Sequence, residues 1–198
     1  MSFDAEFEHR DALIAASIDE FERHGFSGAS LNRILAAAGM SKGQLYHHFP
    51  SKEHLFLALV DWVLSEKMRW FANNPRPPQT DDFFRLIRAN VDASLDFLRA
   101  RPDIDRFTKV LLAERGRPIF DAVTKRAGFT SDSPLAALVE QHHAAGAFQP
   151  ALSADFVSRV VLLVVNHLPD LVDVQQPADL DEHVDVVLAW LRRGLGRD

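Results

Sequence analysis

Residues 30–53 read SLNRILAAAGMSKGQLYHHFPSKE, and this stretch predicts two short helices joined by a turn at Gly39. The first helix is expected to begin at Ser30, whose hydroxyl can accept hydrogen bonds from the free amides of the first helical turn. The second helix begins at Ser41 and ends before Pro50, because proline cannot continue a helix. Two short helices joined by a tight glycine turn form the helix-turn-helix arrangement.

The same region lacks acidic residues. No Asp or Glu occurs from Arg23 to Lys52, although about four would be expected in proportion to the 28 acids among 198 residues. These 30 residues carry a net charge of +4 and the other 168 carry −10, since the whole chain is at −6. Affinity for nucleic acid comes largely from Lys and Arg that neutralise phosphates. The stretch therefore predicts a surface that binds an anion, and DNA is the anion that fits.

The composition of the whole chain predicts an all-α globular protein. Apolar residues make up 47% of the chain, which is enough for a substantial core, and no segment alternates as a strand would. Cysteine is absent, which excludes disulfides, thiolate metal sites and thiol redox sensing and favours a reducing cytoplasm. The longest apolar run, residues 160–165, is far shorter than a membrane span, and the acidic start lacks signal-peptide features. We therefore expect a cytoplasmic protein with no membrane anchor.

Apolar periodicity, prolines and glycines predict ten helices. Their expected bounds are 8–24, 30–38, 41–48, 51–73, 81–99, 102–114, 118–125, 134–145, 154–173 and 180–195. The last two are apolar over a wider face than one small bundle needs, so we expect them to form a partner interface. The alternative is that they only close the core of the monomer.

Distinctive motifs lie on both sides of the predicted turn. The first helix ends in RHGF at residues 23–26, and YHHF at residues 46–49 leads into SKE at residues 51–53. From Asp11 to about Val60 this run resembles the amino-terminal domain of TetR-family transcriptional regulators, whereas beyond Val60 only the helical architecture is similar. Leu35 and Met40 depart mildly from the family's usual alanine and valine.

The resemblance implies a TetR-like fold with two parts. A three-helix helix-turn-helix DNA-binding domain would occupy residues 1–50, and a larger helical domain for effector binding and dimerisation would occupy residues 51–198. The helix from Ser51 to about Asn73 would connect them.

The implied function is that of a ligand-responsive transcriptional regulator, with no enzymatic activity and no cofactor. One helix-turn-helix makes few base contacts, so we expect a homodimer that reads two half-sites of double-stranded DNA about 34 to 36 Å apart, or a multiple of that distance. By the resemblance, a small-molecule effector would tilt the fourth helix and release a repressor from its operator. An activator, or a regulator controlled by a protein partner, is left open.

Nine residues are candidates for DNA contacts: Ser30, Arg33, Ser41, Lys42, Gly43, Gln44, Tyr46, His47 and Lys52. Ser41, Lys42 and Gln44 lie at the end of the second short helix that faces base edges, and a glutamine carries the donor and acceptor that read adenine. Gly43 allows the backbone a close approach to DNA. Ser30 begins a helix, and a helix start binds anions such as phosphate.

The remaining candidates are expected to contact phosphates. Arg33 would add positive charge beside Ser30. Tyr46 and His47 resemble the family's phosphate-contacting pair, and Lys52 resembles its phosphate-binding lysine. His48, by contrast, is expected to pack or to face solvent. Such contacts position a protein on DNA more than they specify sequence.

Two histidines are candidates for contact with the effector. His142 and His167 each lie on an apolar face of a predicted helix, where a polar group must find a partner. A histidine in the core or the dimer interface, bonded to a neighbouring carbonyl, is the favoured alternative for each.

A di-metal carboxylate enzyme is the remote alternative. Glu6 and His9, like Glu140 and His143, show the Glu-x-x-His spacing of di-iron bundles on predicted helices. Such a site needs two more inward glutamates, which the apolar helices do not supply, and the first pair lies at a terminus that we expect to fray. We therefore expect no metal site.

Overall fold

A computed structural model of the chain describes residues 3, 5–75, 80–126, 134–171 and 177–197, with side chains described for these except 134, 166–171 and 177–180. The helices are α1 (Arg10–Gly28), α2 (Leu31–Ala38), α3 (Lys42–His48), α4 (Lys52–Asn73), α5 (Phe83–Ala100), α6 (Pro102–Ala113), α7 (Pro118–Arg126), α8 (Pro134–Ala144), α9 (Ala154–Leu171) and α10 (Pro177–Leu195). Apart from one antiparallel bridge between Phe148 and Gly196, the described backbone is helix, turn or loop. The predicted all-α fold is confirmed.

Single residues set the helix ends. Gly39 ends α2 at φ 67°, a left-handed conformation that glycine adopts without strain. Ser41 and Ser51 cap α3 and α4, because each hydroxyl accepts a hydrogen bond from an amide of the first turn. Gly25, at φ 63° and ψ 176°, leaves the helical conformation inside α1, at the position where the sequence predicts that the first helix stops. Local sequence signals therefore account for the order of the first four helices.

The first of two compact units comprises Met1–Arg76 and Leu95–Ala127. Within it, α2 and α6 pack on α1, and α7 packs on α4. The ring of Phe56 lies at the centre of an aromatic cluster, with centroids 4.9 Å from Phe21, 5.1 Å from Phe26 and 5.3 Å from Phe107. Phe21 and Phe26 belong to α1, Phe56 to α4 and Phe107 to α6. The buried apolar residues of α2 and α3 join the same cluster, so the three amino-terminal helices share one core with α4 and α6.

The second unit comprises Pro77–Ser94 and Gly128–Asp198, so the boundary falls inside α5. Here α9 packs on α8 and on α10. Phe83 and Phe148 meet edge to face at 4.9 Å in its core. None of the described helices combines the length and the hydropathy needed to cross a membrane. The expected division into residues 1–50 and 51–198 stays a prediction.

Candidate nucleic-acid interface

Helix α3, called the reading helix below, is anchored by apolar residues and exposes its polar ones. Leu45 is fully buried, and Phe49, which ends the helix, is 1% exposed. The exposed residues at this helix are Ser41, Lys42, Gly43, Gln44, Tyr46 and His47. Tyr46 is 51% exposed although it is aromatic. The structure therefore leaves six of the nine candidate residues exposed at this helix, and Arg33, which lies in α2, is exposed as well.

A capping box fixes the start of the reading helix. Ser41 Oγ accepts a hydrogen bond from Gln44 N at 3.3 Å, and Gln44 Oε1 accepts one from Ser41 N at 2.8 Å. The box stabilises the helix start, and it directs toward Ser41 the oxygen that a paired contact with adenine requires. In this conformation the N–H donors of the Gln44 amide remain for a base, whereas one of the two lone pairs of its oxygen is already engaged by Ser41.

Gly43 is not required by the packing of the reading helix. A Cβ at this position would meet only Ser41 Oγ, at 4.0 Å, and the backbone is helical. Glycine inside a helix costs about 0.5 to 1 kcal/mol relative to alanine. Since folding gains nothing from this glycine, its exposed position agrees with the predicted close approach of DNA.

Ser30 is the N-cap residue that directly precedes α2, but its hydroxyl does not cap the helix. That part of the prediction is wrong. The backbone N–H of Ser30 donates instead to Glu20 Oε1 at 2.8 Å, so a carboxylate of α1 orients the helix start. Without a side-chain cap, the first amides of α2 and the Ser30 hydroxyl are available to an anion such as phosphate.

Arg33 faces the same carboxylate. Its Nε and Nη2 donate to Glu20 Oε1 at 2.8 and 2.5 Å, and Nη2 also donates to the carbonyl of Gly28. The hydrogen bonds from Arg33 outweigh burial and hold the pKa of Glu20 below its usual value, and the Ser30 amide acts in the same direction. The charge of Arg33 is therefore offset by an acid from outside the acid-free stretch, and its predicted phosphate contact stays a prediction.

Lys52 holds the connection between α1 and α2. Its Nζ donates to the carbonyls of Ser27 at 3.0 Å and Ala29 at 2.9 Å, and it lies 5.0 Å from the ring centroid of Phe26. An ammonium group has three donors, so one remains for the predicted phosphate. Lys52 thus has a structural role that its position in the sequence did not reveal.

Phe3 and Phe7, near the amino terminus, are packed rather than frayed, which corrects our expectation for this segment. Phe3 is fully buried, with its ring centroid 4.8 Å from that of Phe49. Phe7 stacks on His48 at 4.2 Å, so the expectation that His48 packs is confirmed. The sequence gives no helical or strand spacing in this segment, and its contacts with the end of the reading helix span some forty residues of chain.

The candidate effector contacts remain predictions. His142 is 8% exposed and its ring lies 5.6 Å from that of Phe83. The side chain of His167 lies outside the described residues. His143 Nε2 is 2.7 Å from the carbonyl of Leu152, a hydrogen bond that the sequence did not predict. Within the described ranges, no three His, Asp or Glu side chains are grouped as metal ligands.

Comparison with known sequences agrees with this geometry. A family model described as "Bacterial regulatory proteins, tetR family" matches residues 13–59. The transcriptional regulator RutR of Escherichia coli (strain K12) is 34% identical over 97 residues, which are 46% of this chain and 43% of RutR. The transcriptional repressor AcnR of Corynebacterium glutamicum is 51% identical over 40 residues, which are 20% of this chain and 21% of AcnR. The matches thus span less than half of either relative.

A solved structure extends the similarity beyond the amino-terminal helices. The crystal structure of a TetR family transcriptional regulator from Chloroflexus aurantiacus superimposes with a TM-score of 0.69 and 27% sequence identity. The match covers 99% of this chain and 97% of that one. The family model covers the helix-turn-helix, and the similarity to this solved structure also covers the helices that follow it. Residues 13–59 thus carry the amino-terminal domain of the tetR family, and almost the whole chain shares the fold of a solved TetR family transcriptional regulator.

Proposed function

We propose that the protein is a repressor that binds operator DNA as a homodimer and leaves it when a small molecule binds. The observation that carries the proposal is the reading helix, whose apolar residues Leu45 and Phe49 are buried while its polar residues are exposed. It lies in a stretch of 30 residues without an acid. AcnR is named a transcriptional repressor, and this supports repression rather than activation as the proposed role of this chain.

The reading helix would enter the major groove with its amino-terminal end toward the bases. There Lys42 and the amide donors of Gln44 would face base edges, and Gly43 would allow the backbone to approach. The start of α2 at Ser30, the exposed Tyr46 and His47, and the third donor of Lys52 would contact phosphates. Phosphate contacts fix the register, whereas the base contacts select the operator.

The charges predict how binding should respond to salt. Lys42 is exposed, and Lys52 donates to carbonyls rather than to a carboxylate, whereas Arg33 is paired with Glu20. Two phosphate-neutralising lysines in each protomer make four in a dimer. The slope of log affinity against log salt concentration should then be about −3.6, from roughly 0.9 for each neutralised phosphate.

An exposed apolar surface on α9 and α10 supports the homodimer. Its members are Phe156 (44% exposed), Leu163 (61%), Val186 (46%) and Trp190 (71%). Each pair lies on one helix face, because the spacings are seven residues in α9 and four in α10. An apolar surface of this kind is typical of a protein interface. A second copy that covers it would supply the second reading helix that a two-fold operator needs.

Release by a small molecule rests on the family resemblance and on contacts of α1. Arg106 of α6 donates to both Asp19 and Glu22 of α1, with 2.8 Å from Nε to Glu22 Oε2. An effector that moves α4 or α6 would therefore move the helices that carry the DNA contacts. A coupling of about 1 to 3 kcal/mol would change operator affinity about 5- to 150-fold. His142 and His167 are the proposed effector contacts, and the cytoplasm is the proposed location.

The test of DNA binding begins with selection of an operator from random duplex DNA by the purified protein. Affinity for the selected duplex is then measured by fluorescence anisotropy at several salt concentrations. Lys42→Gln should weaken binding and make the slope shallower by about 1.8 per dimer. Lys125→Gln, which makes the same chemical change at an exposed lysine of α7, should alter neither. Binding that does not depend on salt would contradict the proposal.

An activator of the same fold is the second candidate. A reporter gene placed behind the selected operator separates the two, because deletion of the regulator raises expression for a repressor and lowers it for an activator. Compounds that release the protein from the labelled duplex would identify the effector class. If no compound acts and a protein partner is required, the partner-controlled alternative is favoured.

A further inference from the structure

The reading helix is too short to hold its own orientation. It has seven residues, of which only Leu45 is buried. An isolated helix of this length is unstable in water, so contacts at its ends must fix it. The capping box between Ser41 and Gln44 fixes the start, which leaves the question of what fixes the end, next to the candidate DNA contacts Tyr46 and His47.

The end of the reading helix is covered by the amino-terminal strap, which we define as Phe3 together with residues 5–9. Phe3 is fully buried and lies 4.8 Å from the Phe49 ring. Phe7 stacks on His48 with ring centroids 4.2 Å apart and an angle of 22° between the planes. The strap thus contacts the last residue of the helix and the residue after it.

Two features hold the strap against the reading helix. Arg10 Nε donates to the carbonyl of Phe3 at 2.6 Å, so the first turn of α1 binds the strap backbone. His9 precedes α1 at φ 65° and ψ 11°, a left-handed conformation that is uncommon outside glycine. Such a conformation persists where the surrounding contacts determine it. The chain therefore turns sharply at His9 and leads the strap back to the end of the reading helix.

The geometry points to the strap as a positioning element for DNA binding, with Phe3 and Phe7 as its positioning residues. This inference rests on the proposed function. The aromatic pairs fix His48 and Phe49, and His48 follows directly on Tyr46 and His47 in the same turn of helix. Without these pairs, the last turn of the reading helix would fray. Tyr46 and His47, the two candidate phosphate contacts in that turn, would then no longer be held in position. The family model begins at Leu13, so the strap lies outside the matched segment.

His48 provides a spectroscopic report of strap packing. Burial lowers the pKa of His48, and the neighbouring His47 acts in the same direction. When Phe7 is replaced by alanine, the imidazole becomes more exposed and its pKa should rise toward the usual histidine value. NMR titration of the imidazole therefore measures whether the strap is in place, independently of DNA.

The experiment uses the full-length chain and a duplex that the parent protein has selected from random DNA. Phe7→Ala should lower affinity about 2- to 12-fold per reading helix, the range that corresponds to loss of the ring pair between Phe7 and His48. Phe7→Tyr keeps the ring and should restore both the affinity and the His48 pKa. Val123→Ala removes buried contacts from α7 and lowers stability without touching the strap, so its affinity should equal that of the parent.

Three results would overturn the inference. If Phe7→Ala binds the selected duplex as tightly as the parent, the strap does not position the helix. If Val123→Ala loses as much affinity as Phe7→Ala, the effect is one of general destabilisation. If the parent selects no duplex at all, the proposed function fails and the strap has no DNA contact to position.

Discussion

Replacement of Glu114 is the sharpest test of how α6 supports the amino-terminal helices. Its carboxylate is 2% exposed, and Oε1 accepts a hydrogen bond from the backbone N–H of Phe26 at 2.8 Å. Oε2 accepts one from Arg117 at 3.0 Å. Gly25 makes room for this contact, because a Cβ there would meet Glu114 Oε1 at 3.0 Å. One carboxylate from the end of α6 therefore holds the kink of α1.

The expected cost of Glu114→Ala follows from these two partners. A hydrogen bond to a charged group contributes about 1.5 to 3 kcal/mol, and the Phe26 amide would also be left without an acceptor. Arg117 is 56% exposed, so water can replace its partner and its pair adds less than about 1 kcal/mol. We expect the free energy of unfolding to fall by about 2 to 4 kcal/mol. Glu114→Gln keeps an acceptor and should cost about 1 kcal/mol.

Urea unfolding followed by circular dichroism measures these differences, and Arg117→Ala is the matched control. The reasoning requires the order Glu114→Ala, then Glu114→Gln, then Arg117→Ala, from the largest loss to the smallest. A Glu114→Ala protein within about 0.5 kcal/mol of the parent, the usual range for a surface change, would refute it. An Arg117→Ala loss as large as that of Glu114→Ala would show that the ion pair, not the Phe26 amide, carries the effect.

Three further outcomes are expected. Gly43→Ala should raise the free energy of unfolding by about 0.5 to 1 kcal/mol and yet weaken operator binding; equal binding would argue against a close approach at this position. Because the pKa of Glu20 is lowered from 4.5 in the folded protein, its stabilisation is present above that value and lost as the pH falls through the lowered one. Urea midpoints should therefore fall more steeply on acidification for the parent than for Arg33→Gln. Trp190→Asp should sediment as a monomer and lose most operator affinity. If this variant stays a stable dimer, the dimer interface does not lie on the apolar surface of α9 and α10.

The helix order was predictable because single residues determine helix ends locally. Gly39 needs a left-handed φ that few other residues adopt, and Ser41 and Ser51 accept from amides within their own first turns. The exposed side of the reading helix was predictable for a related reason, since Leu45 and Phe49 lie one turn apart and must share the buried face. Each of these signals involves residues within five positions of one another.

The contacts around the start of α2 were not predictable from such signals. Glu20 lies 13 residues before Arg33 and outside the acid-free stretch, so charge counting along the chain assigned Arg33 to DNA. The position of Glu20 on the buried face of α1 was the one signal of this contact in the sequence, because a buried acid needs a partner. Lys52 reaches back 25 residues to the Ser27 carbonyl, and no local pattern encodes that distance.

The capping box has a consequence for the operator. If the hydrogen bond to Ser41 keeps the Gln44 oxygen turned away from the base, the side chain contacts the base with a donor alone, and both adenine and guanine offer N7 as an acceptor in the major groove. The base that Gln44 contacts could then be either purine. A strict adenine there would mean that the box opens and that part of the binding energy is used to undo the helix cap. Aligned operators therefore report, through the degeneracy of one position, whether the reading helix binds DNA in its free conformation.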